Sequence, residues 1–166
     1  MKNLTPYTVL LAQAAATFQL PPDLLEAQCF HESAGDPDAL RYEPLYFRRY
    51  IRGNSKALAA RYHAFAACSV GLMQIMVETA YERGYRGPLE GLFDPLTNIQ
   101  VGAAEMRRLW DWAGGTEGVY PKALAAYNEG QGTAQSGPPF LNQTYVDAIY
   151  VLARPTPPTA ELGQKA

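Results

Sequence analysis

The pattern that most constrains this chain begins at Asp94-Pro95. Aspartate is a strong N-cap residue, and proline suits the first helical position, where its missing N–H would have no partner anyway. From there Leu96, Ile99, Ala103, Met106 and Trp110 recur at spacings of three and four, the apolar stripe of a core helix over residues 95–113. Gly102 lies within it at a cost of about 1 kcal/mol against alanine, which close packing against another helix would offset. So long a core helix needs others to cover it, and the remaining apolar segments supply them. Residues 6–18 form a first helix after Thr5 as N-cap, turning Val9, Leu10, Ala14 and Phe18 inward, and Pro21-Pro22 separates it from the next. Residues 77–83 and 121–128 read as helices ended near Gly84 and Gly130, and the Gly- and Pro-containing stretch 130–139 reads as a loop. A last helix carries Leu141, Tyr145, Val146, Ile149 and Leu152 on one face. No convincing strand alternation and no internal repeat appears. The fold is expected to be all-α, one domain over residues 1–154, with residues 155–166 a flexible C-terminal tail.

Composition excludes several classes. At 166 residues with 48% apolar and 18% charged side chains, the chain is globular and long enough for one sizeable core. A net charge of −2 gives no case for a nucleic-acid partner. No stretch approaches the roughly 20 apolar residues of a membrane span. Cys29 and Cys68 have no metal-ligand spacing around them; two buried free thiols are expected in preference to one bridge, so the redox compartment is not readable. Met1-Lys2 and the apolar residues 9–16 have some look of a signal peptide. The single lysine, the early Pro6 and the short apolar run favour a native first helix.

One carboxylate stands out. Leu24, Leu25, Ala27, Cys29 and Phe30 make a mostly apolar helix that delivers Glu32 to its C-terminal end, with Gly35 and Pro37 as stop signals. The negative end of a helix dipole disfavours the charged carboxylate, and desolvation by an apolar helix pushes its pKa the same way. Such a group stays protonated near neutral pH and can donate a proton. Taken alone, the stretch also fits a solvated surface glutamate before a turn.

Beyond this helix the chain changes character. Arg41, Arg48, Arg49, Arg52, Lys56 and Arg61 outnumber the single acid Glu43 over residues 41–62, with Tyr42, Tyr46, Phe47, Tyr50 and Tyr62 interleaved. The segment suits contact with an anionic polymer; the expected arrangement is two short helices with solvated basic faces and tyrosines turned inward. Next, Ser69-Val70-Gly71-Leu72-Met73-Gln74-Ile75-Met76 is an apolar run broken by Gln74, which must find a partner in the nearby backbone or a ligand.

Four pieces now stand in order: Glu32-Ser33; Gly71-Leu72-Met73-Gln74-Ile75; Asp94-Pro95 with Asn98-Ile99 and Gly102; and Ala126-Tyr127-Asn128 with Gly130. This ordered set resembles the catalytic domain of the soluble lytic transglycosylases (SLT), which share the goose-type lysozyme fold. The resemblance covers roughly residues 20–152 and implies a helical, lysozyme-like domain with a cleft. It implies that Glu32 is the catalytic acid and that Ser33, Met73, Gln74, Tyr127, Asn128 and Tyr145 bind substrate, with Met73 and Gln74 on one cleft wall and Tyr127 and Asn128 on the other. Asp94, Pro95, Asn98, Ile99 and Gly102 match as scaffold.

The implied reaction needs one acid where most glycosidases need two. Glu32 would protonate the β-1,4 oxygen between N-acetylmuramic acid and N-acetylglucosamine, then accept the proton of the muramic C6 hydroxyl as a 1,6-anhydro ring closes. No cofactor and no metal is required. The chain departs from the pattern in one place: Glu32 and Gly71 are 39 residues apart, where the family has a short Ser-rich turn, and Arg41 stands where a serine is usual. Residues 41–68 are therefore a basic, aromatic insertion, and Glu43 becomes a possible second carboxylate.

Insertions of the Arg41-Tyr42-Glu43-Pro44 kind look like those of phage-associated members. Peptidoglycan glycan strands are the expected partner, and a monomer is expected. Action on the periplasmic or extracellular wall without a clear signal peptide suggests phage delivery, as an endolysin or with the virion. The alternatives are a hydrolytic muramidase on the same bond, with Glu43, Asp36 or Asp38 holding water, and a non-catalytic wall-binding virion protein.

Overall fold

The computed structural model describes residues 3–54, 56, 60–116 and 120–153. A 3-10 turn, Thr5–Tyr7, leads into α1, Thr8–Phe18. Asn3, in place of the expected Thr5, holds the entry: its Oδ1 accepts from the Thr5 backbone N–H at 2.9 Å and the Thr5 hydroxyl at 2.6 Å. Helix α1 buries Leu11, Ala14 and Ala15, whereas Val9 is 67% exposed, against expectation. The inward stripe runs 11, 14, 15, 18, and a residue two positions before Leu11 falls on the opposite side of a 3.6-residue turn.

Helix α2, Pro22–Ser33, buries Leu24, Leu25, Ala27, Gln28 and Cys29 but leaves Phe30 well exposed. It closes one residue earlier than Gly35: Ala34 adopts the left-handed conformation at φ 52° and returns its N–H to the Phe30 carbonyl. The chain then forms a small antiparallel sheet that the sequence did not reveal. Strands β1 (Leu40–Tyr42), β2 (Cys68–Val70) and β3 (Ile75–Met76) pair in that order, with Arg41 opposite Ser69 and Ser69 opposite Met76. Strands of two or three residues are too short to display alternation, and β2 is buried on both faces. The domain is thus mostly helical, with this one sheet among the described residues.

Between β1 and β2 the basic, aromatic segment is more varied than two short helices. Helix α3, Pro44–Tyr46, runs directly into a π-helical turn, Phe47–Ile51, and a 3-10 segment, Ala60–Ala67, breaks at His63. Tyr46, Phe47 and Tyr62 turn inward as expected, onto a second core built from Ile51, Val70, Ile75, Val77, Tyr81 and Leu92. Tyr42 and Tyr50 instead remain nearly half exposed.

Helix α4 (Val77–Glu82) and a 3-10 turn (Leu89–Phe93) lead to α5, Pro95–Ala113, whose bounds match the sequence pattern. Asp94 caps it, its carboxylate accepting from the Thr97 N–H at 2.9 Å, and that bond lowers the Asp94 pKa. Ile99, Ala103, Met106 and Trp110 are buried as expected; Leu96, in the exposed first turn, is not. Helix α6 is Tyr120–Glu129, and α7, Gln131–Ala134, occupies part of the expected loop. Helix α8 is Gln143–Ala153; Tyr145, Val146 and Ile149 face inward, while Leu141 precedes the helix and is 82% exposed. Leu152 is also exposed. The tail expected at 155–166 lies outside the described residues.

The main core packs α5 against α6 and α1, and α2 against α8, around Leu11, Leu25, Ile99, Met106, Leu124 and Ile149. Cys29 and Cys68 are buried and unbridged. Among the described residues no helix is long and apolar enough to cross a membrane.

The two cores meet at the turn between β2 and β3. Asn98 of α5 is wholly buried, donates to the carbonyls of Val70 (2.9 Å) and Leu92 (2.8 Å), and accepts from the Met73 N–H (2.7 Å). Gly71 sits at φ 71°, and a Cβ there would come within 2.3 Å of the Asn98 amide. Gly102, one turn along α5, lets the same turn approach: a Cβ would stand 2.5 Å from Met73 Cβ. The neighbour that offsets this glycine is therefore the turn carrying Met73, with the Tyr127 hydroxyl of α6 beyond it. Asn98→Leu should lower unfolding free energy by about 3–5 kcal/mol in urea titration, since it strands two carbonyls and one N–H.

Candidate active site

Glu32 occupies the last turn of α2, and Tyr145 reaches it from α8. The Tyr145 hydroxyl donates to Glu32 Oε1 at 2.6 Å, a distance typical of a charge-assisted O–H···O bond. Burial against α8 pushes the Glu32 carboxyl up to about 7; the Tyr145 bond and the charge of Arg41 pull the other way and only partly offset it. The shift is in the direction that the helix-end position suggested. Burial and the neighbouring Glu32 charge drive the Tyr145 phenol well above its ordinary value, so it stays a donor. The His31 ring stands edge-on to Tyr145, with centroids 5.1 Å apart, and burial lowers its pKa.

Tyr127 completes the group. Its phenol is also driven well up, by burial and then by Glu32, and its hydroxyl donates to the Met73 carbonyl at 2.9 Å. The bond ties α6 to the turn between β2 and β3, so the two expected walls are joined beside the acid. Asn128, partly accessible, accepts at Oδ1 from Asn142 Nδ2 at 2.9 Å. Asn142 also donates to the Ala125 carbonyl at 3.2 Å, which fixes the end of α6 against the start of α8.

The remaining expected residues take other places. Met73 is fully buried, so it enters the site through its backbone and not as a cleft surface, because Gly102 draws its side chain into the core. Ser33 is buried and closes the helix end, donating to the Cys29 carbonyl (3.3 Å) and accepting from the Gly35 N–H (3.2 Å). Gln74, at φ 45°, donates from Nε2 to the carbonyls of Ala39 (3.1 Å) and Gly71 (3.0 Å), the first of the two outcomes, backbone partner or ligand, that its sequence setting left open. That amide locks β1 to the turn. Glu43 is ion-paired with Arg41, Nε to Oε1 at 2.5 Å, and the guanidinium is the more exposed partner at 62% against 33%.

Two residues escaped the sequence reading, Asn142 and Gln28. Gln28 lies four residues before Glu32, on the same face of α2, and is 1% exposed. Its Nε2 is buried without a hydrogen-bond acceptor in good geometry, yet the side chain acts on the Tyr145 phenol as a donor would, favouring its ionised form. A lone amide at i−4 from the acid, inside an apolar stretch, was the available signal. Among the described residues no cluster of His, Cys, Asp and Glu is arranged to hold a metal.

The domain is mostly helical, and Glu32 and Tyr145 are paired where α2 meets α8. The family model described as the transglycosylase SLT domain matches residues 10–137, and the chain belongs to that family, whose activity is of the lytic-transglycosylase type on peptidoglycan. No curated protein matches the chain.

Tyr145→Phe removes a bond that lowers the Glu32 pKa, so the carboxyl should titrate roughly one unit higher when followed by NMR. Gln28→Leu should move it in the same direction by less. The double variant should move it no further than Tyr145→Phe alone, because both act through one hydroxyl.

Proposed function

We propose that this chain is a peptidoglycan lytic transglycosylase, cleaving the β-1,4 bond between N-acetylmuramic acid and N-acetylglucosamine with formation of 1,6-anhydro-N-acetylmuramic acid. The observation that carries the reading is Glu32 itself, a carboxyl raised to about 7 with one oxygen already occupied by Tyr145. With Oε1 accepting from tyrosine, the transferable proton resides on Oε2. Glu32 gives that proton to the glycosidic oxygen, and the N-acetylglucosamine side leaves as an alcohol. The substrate's own N-acetyl carbonyl steadies the positive charge at the anomeric carbon. The C6 hydroxyl then bonds to that carbon and returns its proton to Glu32, so no water is consumed. The Tyr145 hydrogen bond stabilises Glu32 in its intermediate, charged form, when stabilisation is most needed.

Hydrolysis would need a second carboxylate to hold water. Of the candidates Glu43, Asp36 and Asp38, Glu43 faces Arg41 in an ion pair, which weighs toward the single-acid route. The reading includes action at the cell wall as a monomer, and delivery by a phage as a lysis or virion-associated enzyme.

Digestion of purified peptidoglycan followed by mass analysis tests the reaction. Anhydro-muramic ends are expected; reducing ends in their place would establish hydrolysis. Glu32→Gln should lower the rate by about 10²–10⁴-fold, and Glu43→Gln should leave the anhydro product as the main one. Because the acid must enter protonated, kcat/KM should be level below pH 7 and fall about tenfold per unit above it.

A further inference from the structure

The insertion holds charge that the single-acid mechanism does not use. Residues 41–62 carry six basic side chains and one acidic, while the rest of the chain carries eight basic and fifteen acidic. Arg41 meets Glu43, Arg83 and Arg108 meet Glu105, and Arg107 meets Asp111. Arg48, Arg49 and Arg52 are exposed and, among the described residues, have no carboxylate within ion-pair distance. They do not project from a loose loop. Tyr46, Phe47 and Ile51, on the other side of the same α and π turns, anchor the segment in the second core. Aromatic faces lie among the charges: Tyr50 is 46% exposed with the Arg49 guanidinium 5.2 Å from its ring centroid, and its ring stands 4.8 Å from that of Tyr46. Tyr42, 45% exposed, leads from β1 onto this surface with its ring 6.2 Å from that of Phe47.

Strand β1 links the acid to this surface: the Arg41 charge acts on Glu32, and the next residue, Tyr42, stands against Phe47. Strand β1 is held to the turn beside Glu32 by Gly71 N–H and Gln74 Nε2, both donating to the Ala39 carbonyl. A strand lying at Glu32 would therefore meet β1 and then the arginines. Peptidoglycan combines the two chemistries this surface offers: sugar faces, which stack on tyrosine, and carboxylates on its stem peptides, which suit guanidinium forks. A free glycan lacks the carboxylates.

We propose that Arg48, Arg49 and Arg52, with Tyr50, form an accessory platform that binds the carboxylates of stem peptides on the wall strand being cleaved. This rests on the chain acting on peptidoglycan, but its test does not need turnover. Full-length Glu32→Gln protein is pelleted with purified sacculi freed of teichoic acid, at rising salt. Arg48→Gln/Arg49→Gln/Arg52→Gln in that background should bind about tenfold more weakly at low salt, roughly twofold for each exposed pair lost. The difference should vanish on amidase-stripped, peptide-free glycan, while Arg→Lys replacements at the three positions should recover part of it. With Glu32 intact, the triple variant should keep the wild-type kcat on short peptide-free glycan.

Equal binding of the two proteins to intact sacculi would overturn the proposal. So would an equal loss on peptide-free glycan, or retention that the parent shows on DNA but not on sacculi. If wild-type protein releases no fragments while the binding difference persists, the reaction assignment fails and the platform stands.

Discussion

Three hydrogen bonds from one buried side chain position this site. Asn98 satisfies the carbonyls at the ends of two segments, Val70 and Leu92, and the N–H of Met73, none of which has water to turn to. Leaving such groups unpaired costs far more than the bonds themselves contribute, so the turn from Gly71 to Gln74 has one acceptable placement. Everything on the sheet side of the acid follows from that placement. The Met73 carbonyl is where Tyr127 anchors, and the Gln74 amide is where β1 is tied down.

The acid is positioned by a different pairing. Helices α2 and α8 pack together, and their contact places a phenol against a carboxyl in a setting that disfavours charge on either. Each group alone would be costly to bury. Together, the tyrosine donates and the glutamate accepts, and the carboxyl is left poised near neutrality instead of fully ionised. The His31 ring stands edge-on beside the tyrosine.

The segment between β1 and β2 shows how a long connection is held at its base. Its entry and exit are the paired strands β1 and β2, so the chain leaves the sheet and re-enters it in register. Between the strands, tyrosine, phenylalanine and isoleucine side chains form a small core with α4, and the arginines are left at the surface. Across the α and π turns, Tyr46, Phe47 and Ile51 all pack onto that core.

Much of this was legible in the residues. Asp94-Pro95 and the stripe through Ile99, Ala103 and Met106 determined the central helix to its ends, because capping and periodicity are local properties. The position of Glu32 in an apolar helix end already contained the argument for a raised pKa. The sheet was not legible, since strands of two or three residues carry no period, and neither were the roles of Ser33 and Met73. Both match a motif by type, yet one closes a helix and the other fills a gap left by Gly102, outcomes that depend on what packs against them. Gln28 and Asn142 were missed for the same reason. A polar side chain in an apolar run announces that it needs a partner, but the partner lies on another helix. Local sequence determined the helices and the acid; packing between distant segments decided which side chains face that acid, because burial and hydrogen-bond geometry exist only once the segments have met.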